Sequence, residues 1–280
     1  MVAPLTTIEY NNLSKLLESA CGIHLDPGKD YLLETRLSDL AIQEGCDTFG
    51  QLYNKINLNK IILLPKVIDL MTTNETYWFR DDRLWKYLKE VLVPSLLDDL
   101  VTGKKLSLKI WSAAASTGQE AYSLNILIHD YLSKIKKTHL LSKISILGTD
   151  ISSTALFLAK TARYNSFSMN RGLSSLQKTK YFTQVKPTTW KLNDELKKGI
   201  TFKTFNLMDP FTSFGKFDVI LCRNVLIYFS KECKTKLMNN FSKSLNIDGI
   251  FILGSSETTL GYNTNFKSHT TNGAITYKLS

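Results

Sequence analysis

Leu106-Ser-Leu-Lys-Ile-Trp-Ser-Ala-Ala-Ala-Ser-Thr-Gly-Gln-Glu120 is the stretch on which the fold of this chain turns. It opens with a short β-prone run, Leu106 to Trp111. Seven small residues follow, Ser112 through Gly118. Small side chains let the backbone approach a bound ligand closely, which marks Ala115 and Gly118 as candidate contacts. Gln119 and Glu120 then open an apolar helix that runs to about Leu132. Strand, small-residue turn and helix together begin an open α/β sheet, where ligands bind outside the carboxyl ends of the strands.

The same alternation continues outward from this unit. Ile144 to Leu147 is a second apolar run, ending in Gly148-Thr149-Asp150, and a helix follows with Ala155, Leu156, Leu158 and Ala159. Phe217 to Cys222 reads as a third strand, about 231–245 as a helix, and Gly249 to Leu253 as a fourth strand. This spacing predicts a mostly parallel sheet covered on both faces. Tyr181 to Thr204 alternates weakly and contains Pro187 and Asn193-Asp194, so a small antiparallel β insertion is expected at about 181–204. The tail, Phe266 to Leu279, is expected to return as antiparallel edge strands.

Toward the N-terminus the pattern is helical. Leu13, Leu16 and Leu17 share one helix face, and Leu33, Leu37 and Leu40 do the same after the turn Asp26-Pro27-Gly28. Phe49 to Tyr53 and Ile61 to Leu70 suggest two more helices. The expected organisation is a small all-α domain (1–72), a cofactor-contacting linker (73–90) and a larger α/β domain (91–280).

The chemistry of the turn narrows the ligand. It lacks the G-x-G-x-x-G of a dinucleotide site, which argues against a pyrophosphate. Glu120 in the first helical turn is favoured by the helix dipole; it can accept from a ligand amino group and would repel a phosphate. Asp150 ends the next strand, where an acidic side chain takes the two hydroxyls of a ribose. A nucleoside with an uncharged or cationic extension fits this set, and S-adenosylmethionine meets that description.

Charge is unevenly spread. Residues 1–80 hold seven Lys and Arg against ten Asp and Glu, a net of −3; residues 81–280 hold 28 against 15, a net of +13, giving the chain's +10. A positive field attracts nucleic acid or an acidic protein surface alike. No run approaches the roughly 18–20 apolar residues of a spanning helix, and the early residues lack signal-peptide order, so a cytoplasmic protein without membrane insertion is expected. Cys21, Cys46, Cys222 and Cys233 form no C-x-x-C pair and sit near no His at zinc spacing; buried reduced thiols and no metal site are expected.

Three further strings carry a resemblance: Thr73-Asn-Glu-Thr-Tyr-Trp-Phe-Arg80, Asn206-Leu-Met-Asp209 and Cys222-Arg-Asn-Val-Leu-Ile-Tyr-Phe229. With Trp111–Glu120 and Thr149-Asp150, in this order, the chain resembles the CheR-type chemotaxis receptor methyltransferases over nearly its whole length. The resemblance implies a class I, Rossmann-like S-adenosylmethionine-dependent methyltransferase domain behind an all-α domain. It implies a protein-glutamate O-methyltransferase acting on the cytoplasmic methylation helices of membrane chemoreceptors in sensory adaptation, with S-adenosylhomocysteine as product. It implies cofactor contacts at Asn74, Thr76, Arg80, Glu120, Asp150, Asn206, Leu207, Arg223 and Asn224, with Arg80 and Tyr228 nearest the transfer. Members that tether to a receptor's C-terminal pentapeptide carry a glycine-containing loop in the β insertion. Here that loop is Val185-Lys-Pro-Thr-Thr-Trp190, so no tether is expected. A monomer is expected.

This chemistry needs no acid–base set. A glutamate carboxyl, with a pKa of about 4.3, is already ionised at pH 7, and the donor brings its own leaving group. His24, His129, His139 and His269 accordingly sit in no motif. Two other readings remain: a nucleic-acid methyltransferase, suggested by the +13 part, and a non-catalytic cofactor-binding receptor adaptor. Against the first stands the absence of an N/D-P-P-Y/F string at 222–229 and of an appended RNA-binding module. Against the second stands the presence of every matched ligand position.

Overall fold

A computed structural model describes residues 2–262 and 264–280. The chain begins with four helices: α1 (Thr7–Cys21), α2 (Asp30–Gln43), α3 (Phe49–Leu58) and α4 (Lys60–Met71). A capping box opens α1, in which Thr6 Oγ1 accepts from the Glu9 N–H and the Glu9 carboxylate accepts from the Thr6 N–H. Gly22, in the left-handed region, closes that helix. The apolar faces meet in one core that includes Leu13, Leu17, Leu33, Leu37, Leu52, Ile56 and Val67.

A second helical stretch, α5 (Asp82–Tyr87), a π-helical segment (Leu88–Leu92) and α6 (Val93–Val101), leads into the sheet. The α/β part then runs β1 (Leu108–Ala113), α7 (Gln119–Lys134), β2 (Ile144–Asp150), α8 (Ser153–Thr161), β3 (Arg163–Asn165), α9 (Ser166–Met169) and α10 (Ser175–Tyr181). It continues β4 (Phe182–Lys186), β5 (Thr189–Leu192), β6 (Ile200–Thr204), β7 (Phe217–Cys222), α11 (Lys231–Ser244), β8 (Leu245–Leu253), β9 (Phe266–Thr271) and β10 (Ala274–Leu279). Seven strands form the main sheet in the order β6-β2-β1-β7-β8-β10-β9. The first five are parallel, and β10 and β9 return antiparallel at one edge. Trp111, at the centre of β1, is fully buried among Phe205, Phe211, Phe217 and Phe241. Its indole N–H donates to Thr149 Oγ1 at 2.8 Å, so the large ring leaves no polar atom unmet.

The fold class is the expected one, with three differences in the strands. The first strand lies at 108–113 rather than 106–111, because Ser112 and Ala113 still pair with Gly148 and Thr149 of β2. Ile200–Thr204, read as part of the antiparallel insertion, instead pairs in parallel with β2 and forms an edge of the main sheet. An edge strand has one covered side, so only Phe202 is buried and the run imitates an exposed hairpin. The small antiparallel sheet is β3-β5-β4, and its first strand, Arg163–Asn165, is too short to carry a pattern.

The small sheet is keyed to the 73–80 segment by Trp78, which is fully buried edge-on to Tyr164 and Phe182. Gly172 has φ +91°, and a Cβ there would collide with the Trp78 carbonyl. The helical domain is joined to the sheet by hydrogen bonds along one seam. Asn206 Nδ2 donates to the Ala20 carbonyl at 2.7 Å. The His24 N–H donates to the Tyr228 carbonyl at 2.8 Å, beside a bridge between Ile23 and Phe229. The hydroxyls of Ser153 and Thr154 donate to Asp69 at 3.3 and 3.0 Å. All four cysteines are buried free thiols. Among the described residues, no helix is long and apolar enough to cross a membrane.

Candidate cofactor-binding site

The strand order turns at β1. From there β2 and β6 run to one side, β7 and β8 to the other, and a crevice opens outside the carboxyl ends of β1 and β7 at this switch point. It holds a cavity of about 1040 Å³ including its mouth. The floor comes from the turn after β1, one end from Asp150, and the far wall from the loop after β7. The seam of the helical domain closes it with Cys21, Ile23 and Met71.

The turn after β1 is strained in a way that shapes it. Ala114, Ser116 and Gly118 all have positive φ, at 59°, 49° and 93°. For the two non-glycine residues this costs roughly 1–2 kcal/mol each. Backbone bonds offset the cost: the Ala115 N–H donates to the Thr149 carbonyl at 2.8 Å, and the Ser116 N–H to Asp150 Oδ2 at 2.8 Å. Asp150 Oδ1 accepts the Ser152 N–H at 2.9 Å. Each oxygen keeps a lone pair, so the carboxylate both holds the turn and can take a diol. Burial raises its pKa above the ordinary 3.8, although the amides of Ser152, Ser116 and Ile151 pull the other way.

At the other end, Arg223 is nearly enclosed and forms an ion pair with Glu120, Nη1 to Oε2 at 3.0 Å. Its Nη2 donates to the Arg80 carbonyl at 2.7 Å. The Ser112 hydroxyl donates to Glu120 Oε1 at 2.8 Å. Arg223 Nε is buried without a partner, and such an atom commonly marks the place of a missing ligand. Arg80 donates Nη1 to the Glu75 carbonyl at 3.1 Å and lies 5.5 Å from the Tyr77 ring centroid. Among the described residues it makes no ion pair, leaving its charge turned to the cavity it lines.

Asn74, Thr76, Arg80, Ala115, Glu120, Asp150, Asn206, Leu207, Arg223, Asn224 and Tyr228 are thus brought together in the lining of one cavity. Gly118 is the expected contact that lies elsewhere. A Cβ on it would stand 3.0 Å from Ala159, 3.1 Å from Tyr122 and 3.2 Å from Phe202. It serves the left-handed turn and the packing of α7 on the sheet, and it is not among the residues that line the cavity. Asn206 also differs from a free contact, since its amide nitrogen is held by Ala20 and its oxygen accepts the Met208 N–H. Sequence reading missed the wall residues Cys21, Ile23 and Met71, which sit at helix ends with no polar signal. It also missed Asp69, whose long-range partners no local pattern announces.

The residues fit an adenosyl sulfonium amino acid. A buried carboxylate with spare lone pairs ends the ribose side, apolar Leu207 and Phe205 line the base side, and a carboxylate with an unpartnered guanidinium nitrogen faces the amino-acid side. Among the described residues, no cluster of three or more His, Cys, Asp or Glu could hold a metal ion.

Comparison with known proteins agrees. Residues 8–72 match the all-alpha domain of CheR methyltransferases, and residues 74–275 match their S-adenosylmethionine-binding domain. A chemotaxis protein methyltransferase of Vibrio parahaemolyticus is 39% identical, covering 97% of this chain and 96% of its own. Chemotaxis protein methyltransferase 1 of Pseudomonas aeruginosa is 39% identical over 86% of each chain, and that of Borreliella burgdorferi 33% identical over 92% and 90%. The chain belongs to the CheR methyltransferase family, with S-adenosylmethionine as its cofactor.

Proposed function

We propose that this enzyme transfers a methyl group to glutamate side-chain carboxylates on the cytoplasmic helices of chemoreceptors, as a protein-glutamate O-methyltransferase. The cofactor supplies an electrophilic methyl on a cationic sulfur. Asp150 holds the ribose, and Glu120 with Arg223 and Arg80 holds the charged amino-acid end. The substrate carboxylate arrives ionised, at a pKa of about 4.3, so no residue needs to take a proton. What the chain adds is alignment. Keeping an oxygen about 3–3.5 Å from the methyl carbon is worth up to roughly 7–11 kcal/mol.

The observation that carries this reading is the position of Tyr228. It lines the cofactor cavity and also a second groove outside it. That groove is walled by His24, Lys29, Arg36 and Lys234, with Asp26 as its acidic side chain. Lys29 is paired with Asp26 at 2.9 Å, so the groove keeps a net positive charge although residues 1–80 as a whole are net negative. An acidic helix laid there brings a glutamate to Tyr228, whose hydroxyl can donate to it. Long-range attraction of this kind is screened within about 8 Å at physiological salt.

The turn between β4 and β5 has no glycine, which supports independence from a C-terminal receptor tether. The test is methyl incorporation into receptor-containing membranes, read as base-labile ester. Receptors with and without their C-terminal pentapeptide should be methylated at equal rates, and added salt should slow both. A chain that binds the cofactor but forms no receptor ester overturns the reading; RNA methylation in its place would select the nucleic-acid alternative.

A further inference from the structure

Glu257 lies in the turn after β8 and is absent from the lining of the cofactor cavity. Its carboxylate nevertheless accepts four backbone N–H groups. Oε2 takes Asn224 at 2.7 Å and Gly254 at 2.8 Å. Oε1 takes Val225 at 3.0 Å and Leu226 at 2.8 Å. Three of these amides are consecutive in the loop that leaves β7. Asn224 has φ +59°, and alternating backbone conformations of this kind turn successive N–H groups onto one anion. Bonds to an ionised acceptor are about twice as strong as neutral ones.

The loop so gathered begins at Arg223 and passes into a single 3₁₀ turn, Leu226–Tyr228. Glu257 therefore holds the start of that turn, while the His24 N–H holds its last carbonyl. Tyr228 is thus fixed by its own carbonyl at one end of a turn whose other end Glu257 holds. The fit is close: a Cβ on Gly254 would lie 2.7 Å from Glu257 Oε2 and 3.0 Å from the Asn224 nitrogen.

We propose that Glu257 is a positioning residue for methyl transfer, fixing the Arg223–Tyr228 loop against the transfer end of the cavity while touching neither cofactor nor substrate. The inference rests on the methyltransferase reading above. It separates two functions of the cavity, because the ribose end does not depend on this loop.

Glu257→Gln tests it. An amide has one accepting oxygen, so two of the four N–H groups lose their acceptor whichever way it turns. The expected result is a kcat lower by roughly 10- to 100-fold, the scale on which a misplacement of about 1 Å acts, with S-adenosylhomocysteine affinity by calorimetry falling by a much smaller factor, since Arg223 and Asn224 of the same loop line the cofactor cavity while the ribose end keeps its hold. Amide hydrogen exchange should quicken at residues 224–226 and stay unchanged at 150–155. A folded variant with parental kcat, or one whose cofactor affinity falls in step with kcat, overturns the proposal. Should Glu257→Gln fail to fold, Gly254→Ala presses on the same carboxylate and should show the same kcat-selective loss; a parental kcat there is equally fatal. A parent chain that esterifies no glutamate defeats the functional reading instead, and amide exchange at 224–226 then decides this one.

Discussion

At the ribose end of the cavity, Asp150 is the last residue of a strand paired on both sides, with β1 and with β6. At the transfer end, Arg80 and Tyr228 stand on segments outside the sheet, held by side chains that reach across the sequence. Arg223 bonds to the Arg80 carbonyl over 143 residues and to Glu120 over 103. Glu257 bonds to the Asn224 amide over 33. The first end is set by a hydrogen-bond ladder and the second by ionised side chains acting on backbone. Substitutions at the first should therefore change chiefly affinity, and substitutions at the second should change stability or turnover as well.

Arg223→Ala should have the largest effect. It leaves Glu120 enclosed without its cation, and breaking such a pair costs about 3–5 kcal/mol. Urea unfolding would read this as a lowered midpoint; a loss below 1 kcal/mol would mean that the transfer end is not held by this ion pair. Asp150→Ala comes next. Losing two hydroxyl bonds to a charged acceptor, and the hold on the Ser116 amide, should weaken S-adenosylhomocysteine by about 3 kcal/mol, roughly 150-fold. Normal binding in calorimetry would remove the ribose assignment.

A smaller effect is expected of Tyr228→Phe, which should bind cofactor as the parent does and lose about tenfold in kcat, the worth of one hydrogen bond in the transition state. A change confined to affinity would break the division between the two ends. The mildest effect is that of pH. The Asp150 pKa is raised by burial above its ordinary 3.8, so between these two values the folded chain binds more protons than the unfolded one. For this group, stability then falls as pH rises through that window. Cofactor affinity should move oppositely, weakening on acidification once the carboxylate protonates. Parallel loss of stability and affinity through this group would contradict the sign of its shift.

The same division decides what could be read beforehand. The small-residue turn, the helix from Gln119 and the acid at Asp150 are local patterns, so their places were legible. Ser112 and Ala113 read as turn residues because strand propensity ignores what a small residue pairs with, here Gly148 and Thr149. A glycine beside a cradle such as Gly118 reads alike whether it yields space to a ligand or to Phe202. The pairing of Glu120 with Arg223 is a contact that nothing in the sequence neighbourhood of either residue reveals. At the transfer end, motif strings located the residues, but no spacing rule told what keeps them there. Ile200–Thr204 reads as a solvent-facing hairpin strand because only Phe202 of this outermost strand of the main sheet is buried.

The walls of the cavity come from both domains, with Cys21, Ile23 and Met71 facing Asp150, Leu207 and Arg223. A bound cofactor is therefore an adhesive between two separately cored bodies, and its binding energy is spread over their seam. Occupancy stabilises the joined form by mass action, about 2.7 kcal/mol at a hundredfold excess over Kd. Linkage makes this reciprocal: whatever pulls the helical domain away from the sheet must loosen the cofactor, and whatever presses it home must tighten it.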